Sequence, residues 1–283
     1  MGHLFDRVCI VGVGLIGGSL GLELRQKGLC RTVVGVGHRQ ASIDRALALG
    51  AIDEGTLDPV AGVKDADLVI LATAIGLITK IGRQVAPHLK SGCIVSDVGS
   101  TKTEIVRELE KALPPGVHFV GAHPIAGSEK RGVDASRAGL FRGTVCVLTP
   151  TKNTDPDAQR RLAELWTAVG AKVAVLPCEA HDATLARTSH LPHLAAAALV
   201  AALKPADANF VGTGFRDTTR VASGDVDIWC DILLTNRAAA LDAVDSFGDR
   251  LGELRRAIDT GDRAALAAFL SSAKQKRDSL SPE

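Results

Sequence analysis

Arg7-Val8-Cys9-Ile10-Val11-Gly12-Val13-Gly14-Leu15-Ile16-Gly17 is the stretch on which the reading of this chain turns. A β-branched apolar run enters Gly-x-Gly-x-x-Gly directly, and helical spacing follows over Leu15–Lys27. In a strand–turn–helix unit, glycines at 12, 14 and 17 permit a tight turn. They also let the backbone amides around Leu15 and Ile16 approach a pyrophosphate at the helix N-terminus, where the helix dipole favours negative charge. The motif is weak alone; its place at the head of a strand–helix unit makes it a dinucleotide-binding signal.

Two more predicted strands end in chemistry. Asp97-Val98-Gly99-Ser100 follows Cys93–Ser96, and His123-Pro124 follows Phe119–Ala122. In open parallel sheets ligands bind outside the carboxyl ends of the strands, so a phosphate-binding turn, a hydroxyl and an imidazole are expected to meet in one crevice. The second strand ends in Gly37-His38-Arg39, where NAD-binding turns usually carry Asp or Glu. A missing carboxylate beside His38 and Arg39 favours the 2′-phosphate of NADP over NAD, the alternative being a solvated loop arginine.

The periodicity predicts strands at Arg7–Val11, Thr32–Val36, Leu68–Ala72, Cys93–Ser96, Phe119–Ala122, Thr144–Leu148 and Lys172–Leu176. Helices are predicted at Leu15–Lys27, Ser42–Leu49, Thr103–Ala112 and Asp157–Val169. This alternation predicts a mostly parallel, doubly wound α/β domain of Rossmann-like type over residues 1–177, with the late strands free to pair antiparallel. After Pro177 only helical spacing remains, in Glu179–Leu203, Arg216–Ser223, Asp227–Asp245, Arg250–Ile258 and Arg263–Lys276. An all-α domain over residues 178–283 is expected.

Composition narrows the function. The 33 Lys+Arg nearly cancel 32 Asp+Glu, and no basic block with interleaved aromatics occurs, which argues against nucleic acid as a partner. No apolar run approaches the ~20 residues of a membrane span, and the short stretch before Gly12 leaves no room for a leader, so a cytoplasmic protein is expected. Six scattered cysteines without a CxxC pair read as reduced and structural rather than metal-binding. With no tyrosine in the chain, acid–base work falls to His, Asp, Glu, Lys or Cys.

In the helical half, Asp182, Ala186, Ser189 and His193 fall at i, i+4, i+7 and i+11, so a continuous helix sets the polar three on one stripe. Pro192 is expected to bend that helix and free the carbonyl of Thr188. The stripe lines either a ligand site or a helix–helix seam. Asp217 and Arg220 lie one turn apart, so that the carboxylate can orient the guanidinium toward a substrate carboxylate or form a plain intrahelical ion pair.

Taken together, Gly12–Gly17, Ser96–Lys102, Gly121–Lys130, Thr188–His193 and Gly214–Arg220 resemble, in that order and over nearly the full length, the prephenate/arogenate dehydrogenase family of tyrosine biosynthesis. The resemblance implies NAD(P)-dependent oxidative decarboxylation of a cyclohexadienol, in which C4 loses a hydride, the ring carboxylate leaves as CO₂ and the ring becomes aromatic. It implies His123 as the base on the C4 hydroxyl, Ser100 as an orienting hydroxyl, Arg220 as the cation for a substrate carboxylate, and Ser189 and His193 as further substrate contacts. Asp182 and Asp217 become orienting groups; Glu129 and Trp229 match family positions near the pocket. The family's helical half intertwines with a second copy, so a homodimer is expected.

The segment His123–Gly132, with Ser128-Glu129-Lys130, looks more like prephenate users; arogenate or dual cyclohexadienyl activity is the alternative. A non-catalytic dinucleotide sensor would be expected to lack the base and the carboxylate-binding cation. A β-hydroxyacid dehydrogenase needs a lysine on the first helix of the second domain, and Glu179–Leu203 has none.

Overall fold

Every parallel strand predicted from a β-branched run forms, because strands covered on both faces bury unbroken apolar sequence. The computed structural model describes residues 2–126 and 132–280. In order the elements are β1 (Phe5–Val11), α1 (Leu15–Gln26), β2 (Cys30–Val36), α2 (Gln40–Ala48), β3 (Glu54–Thr56), α3 (Pro59–Val63), β4 (Leu68–Leu71), α4 (Ile75–Val85), β5 (Ile94–Asp97), α5 (Thr103–Ala112), β6 (His118–Pro124), β7 (Val145–Thr149), α6 (Pro156–Ala168) and β8 (Lys172–Val175). The sheet runs β3-β2-β1-β4-β5-β6-β7-β8. It is parallel through β6; β7 then pairs antiparallel to β6, and β8 parallel to β7. The two-residue period of β1 divides the core, with Val8 and Ile10 packing beneath α1 and α6 and Cys9 and Val11 beneath α4 and α5.

Sequence periodicity passed over β3, α3 and α4. β3 has three residues, α3 five, and α4 opens at Ala74 without a side-chain cap. The cap of α4 comes from far along the chain: Gly76 N–H donates to Asp231 Oδ2 at 3.3 Å. All six cysteines are free, and burial pushes the thiols of Cys9, Cys30 and Cys93 up to about 12, so these three behave as packing groups.

The helical half contains α7 (Cys178–Leu185), α8 (Leu191–Ala201), α9 (Thr213–Thr219), α10 (Val226–Thr235), α11 (Arg237–Asp259) and α12 (Arg263–Asp278). The single helix predicted over Glu179–Leu203 is instead interrupted by a π-helical turn at Ala186–His190, just ahead of Pro192. Proline brings no N–H for a preceding carbonyl, and the wider turn absorbs the mismatch without ending the helix. The predicted Asp227–Asp245 helix also breaks, at Asn236, whose buried side chain donates to the carbonyl of Asp182 at 2.8 Å. Downstream, α11 runs unbroken through Gly248, where the sequence predicts a gap.

The chain divides into two compact units, Met1–Asn236 and Arg237–Glu283. The first takes in the sheet together with α7 to α10; the second consists of α11 and α12. Compactness therefore changes at Asn236, later than the loss of strand signal at Pro177. The reason is a set of polar ties from α7 and α10 to the starts of α4 and α5, which include Asp182 on the amides of Lys102 and Thr103 and Thr235 on Thr101 at 3.0 Å. No helix among the described residues is long and apolar enough to cross a membrane.

Candidate active site

The glycine turn after β1 has a steric reason at two of its three glycines, Gly12 and Gly17. Gly12 adopts φ +106°, and a Cβ there would lie 2.4 Å from the carbonyl oxygen of Ala72; a Cβ on Gly17 would lie 2.0 Å from that of Gly12. Gly14 faces open space and begins α1 without a side-chain cap, which leaves the first-turn amides of Leu15, Ile16 and Gly17 for a ligand. Gly12 and Gly14 line a cavity of about 560 Å³, as do Gly37, His38, Arg39, Ser42, Thr73 and Lys80. No described residue lining it is acidic. A cradle that a Cβ would fill, opening on a cation-lined cavity, fits a dinucleotide. Gly37 has a second explanation that sequence did not reveal: its Cβ would come within 3.0 Å of Ile43 Cδ1, so packing under α2 already favours glycine.

Parallel pairing sets the ends of β1, β4, β5 and β6 on one edge of the sheet. There His123 is buried near the end of β6, while Ser100 is half-buried beyond β5 with no side-chain hydrogen-bond partner among the described residues. His123 Nδ1 lies 2.9 Å from His181 Nε2, and His181 Nδ1 lies 2.8 Å from Asp182 Oδ1. Asp182 also accepts the amide of Lys102 at Oδ1, 2.8 Å, and that of Thr103 at Oδ2, 2.9 Å. Burial works against its charge, but hydrogen bonds from His181, Thr103 and Lys102 prevail and hold the carboxyl below its usual range. Asp182 is thus anchored at the start of α5.

Below His123, the fully buried Lys102 and Asp97 form an ion pair and hold the residue before it from both sides. Lys102 Nζ donates to the Ala122 carbonyl at 2.8 Å, and Asp97 Oδ1 accepts the Ala122 amide at 3.2 Å. Burial first, then the neighbouring His181, Lys102 and His190, push the His123 imidazole well below 6.5, so it is neutral at physiological pH. Sequence reasoning left His181, Asp97 and Lys102 without a role. The adjacent His181-Asp182 pair was visible, but its meaning depends on α7 packing against α5.

His190, buried on the π-turn, is pushed by desolvation to about 4. Its unfolded counterpart titrates near 6.5, so between these values protons bind the unfolded chain preferentially. Thermal stability is expected to fall as pH drops from 7 toward 4, then to lose sensitivity to this residue below that; a melting series across the range checks it.

The π-turn changes the expected stripe. Asp182 and His193 are buried and Ser189 is half-buried, but the wider turn separates their faces, and Asp182 spends its oxygens on α5 and His181. His193 stacks on Trp229 at 3.6 Å between centroids, and its Nδ1 is buried without a partner. Arg220 and Asp217 are exposed near the end of α9, and no ion pair joins them. The carboxylate-oriented guanidinium expected from their spacing is therefore not formed. A Cβ on Gly224 would lie 3.1 Å from His193 Cε1, so the turn following Arg220 packs onto His193. Glu129, with Ser128 and Lys130, lies outside the described residues. Among the described residues no group of three or more His, Cys, Asp or Glu side chains is arranged to hold a metal ion.

Two family models match most of the chain in succession, prephenate dehydrogenase nucleotide-binding domain over residues 20–175 and prephenate dehydrogenase dimerization domain over residues 177–272. The chain belongs to the prephenate dehydrogenase family. Among relatives in this family, prephenate dehydrogenase of Bacillus subtilis is 34% identical over 99% of this chain and 77% of its own. Cyclohexadienyl dehydrogenase of Zymomonas mobilis is 33% identical over 98% and 97%. The crystal structure of Aquifex aeolicus prephenate dehydrogenase, in complex with hydroxyphenyl propionate and NAD+, superposes with a TM-score of 0.91 at 36% identity, covering 98% of each chain.

Proposed function

We propose that this chain oxidatively decarboxylates prephenate to 4-hydroxyphenylpyruvate with NADP or NAD, residues 1–177 binding the dinucleotide and residues 178–283 supplying substrate contacts and a dimer interface. The observation that carries the reading is His123: a buried, neutral imidazole on the sheet edge that also bears the glycine cradle, in a chain of this family. A bound nicotinamide supplies the hydride acceptor. The chain's own residues then have to hold a dicarboxylate and polarise the C4 hydroxyl. His123 takes the hydroxyl proton, Ser100 orients that hydroxyl, Arg220 binds a substrate carboxylate, and Ser189 and the unpartnered Nδ1 of His193 make further contacts. Asp182 acts through His181 rather than on substrate. Asp217 is left with a supporting place near Arg220.

The cavity's lining favours NADP: the cations Arg39 and Lys80 and the hydrogen-bonding ring of His38 line it, and no described acid opposes a 2′-phosphate. Arg39→Ala is expected to lower kcat/KM for NADP about tenfold, the value of one charge-assisted hydrogen bond, and to leave NAD unchanged. Equal effects on both cofactors would place Arg39 in solvent. The dimer reading is supported by Leu241, Val244, Leu251 and Ile258, exposed along α11 at helical spacing, and is checked by sedimentation. A cytoplasmic location is part of the same proposal. Following absorbance at 340 nm with prephenate or arogenate, each with NAD or NADP, tests the whole reading. Turnover of arogenate alone would move the activity to that substrate, and turnover of neither would remove it.

A further inference from the structure

Three groups stand in line behind the base His123: His181, Asp182 and the amides that open α5. Their donor and acceptor roles can be assigned in one direction. Backbone N–H groups only donate, so the amides of Lys102 and Thr103 require Asp182 to accept at both oxygens. An ionised Asp182 has no proton to give, so the hydrogen bond at 2.8 Å is donated by His181 Nδ1–H. A neutral His181 then presents a lone pair at Nε2. The proton between the two rings, 2.9 Å apart, belongs to His123 Nδ1, and His123 Nε2 is left bare.

A difficulty comes with this arrangement. Lys102 and burial both disfavour a positive charge on His123, which makes it a poor resting place for a proton. One place further on, His181 lies directly against the Asp182 carboxylate.

We propose that His181 is a positioning residue for this reaction: held by Asp182, it keeps His123 as the Nδ1–H tautomer with Nε2 bare, and it takes the Nδ1 proton when Nε2 receives one from the substrate hydroxyl. The inference rests on the reading of His123 as the base. In the step, the hydroxyl O–H bond breaks as His123 Nε2–H forms, and the bonding pair stays on oxygen. His123 Nδ1–H breaks as His181 Nε2–H forms, and the charge comes to rest beside the carboxylate. The reverse transfer returns the proton to the phenolic oxygen of the product, so no outside acid is consumed. The charged and titratable groups around His123 are Lys102, paired with Asp97, at the start of α5; His181 and Asp182 on α7; His190 on the π-turn; and Cys146 on β7.

The discriminating variant is His181→Gln. Its amide oxygen can accept from His123 Nδ1–H and preserve the tautomer, but it cannot take the proton. The expected result is a kcat lowered roughly ten- to a hundredfold, part of the whole contribution of a general base, with KM for prephenate and dinucleotide held within about twofold. The acid limb of kcat/KM is expected at lower pH than in wild type, a change that a purely structural role would not produce. In wild type, ¹⁵N NMR of the labelled imidazoles is expected to show His123 protonated at Nδ1 only, an outcome independent of whether the variant folds. A proton on His123 Nε2 overturns the inference. So does a folded His181→Gln enzyme with unchanged kcat and acid limb while His123→Asn is inactive. If His123→Asn itself turns over normally, the base assignment fails first and the relay falls with it.

Discussion

His123→Asn is expected to lower kcat about 10²–10⁴-fold, the usual contribution of a positioned general base, with little change in dinucleotide affinity. Asparagine is the informative replacement because its amide nitrogen can stand where Nδ1 stands and still donate to His181 Nε2, while nothing remains at Nε2. Buried pairing survives and the base is lost. Turnover at saturating prephenate, with a melting curve as control, separates this from unfolding; a variant with near wild-type kcat would remove His123 from the mechanism. The pH profile adds an independent check. The base works when neutral, and an unperturbed imidazole would lose activity below about 6.5. Burial, His181, Lys102 and His190 hold His123 well below that value, so activity is expected to persist under mildly acidic conditions and to fall only further down. An acid limb at 6.5 or above would mean that water reaches His123 in the working enzyme.

Arg220→Ala is expected to raise KM for prephenate roughly ten- to a hundredfold, as losing a charge-assisted hydrogen bond of about 1.5–3 kcal/mol implies, and to leave KM for dinucleotide unchanged. Its spacing to Asp217 allowed a simpler explanation, an intrahelical ion pair worth a few tenths of a kcal/mol. The two side chains are both exposed and do not pair, so the substitution should leave the melting temperature nearly where it was, as exposed replacements do. A melting temperature that falls while KM for prephenate stays put would reverse this assignment.

The strand-end residues were legible early because their signals are local. Gly12 and Gly17 must be glycine to clear the carbonyls of Ala72 and Gly12, and His123 directly follows an apolar run whose direction in the sheet is dictated by the alternating helices. The helical half was less legible. Uniform helical spacing across Glu179–Leu203 hid the π-turn, since periodicity averages over a one-residue excess, and the break at Asn236 depends on a hydrogen bond to the carbonyl of Asp182. Gly37 shows a right residue with an incomplete reason: room for a phosphate was visible in sequence, while contact with Ile43 was not.

By itself, then, the sequence determined the parallel sheet, the glycine cradle and an imidazole at the sheet's ligand edge, because hydrophobic period, turn chemistry and strand direction are properties of short segments. Tertiary structure alone decided what that imidazole can do. His181 and Asp182 lie some sixty residues from His123 in sequence, and only the packing of α7 against α5 brings them into line behind it. The same packing removes the water that would otherwise set the protonation of His123, so its charge state is a property of the assembled site.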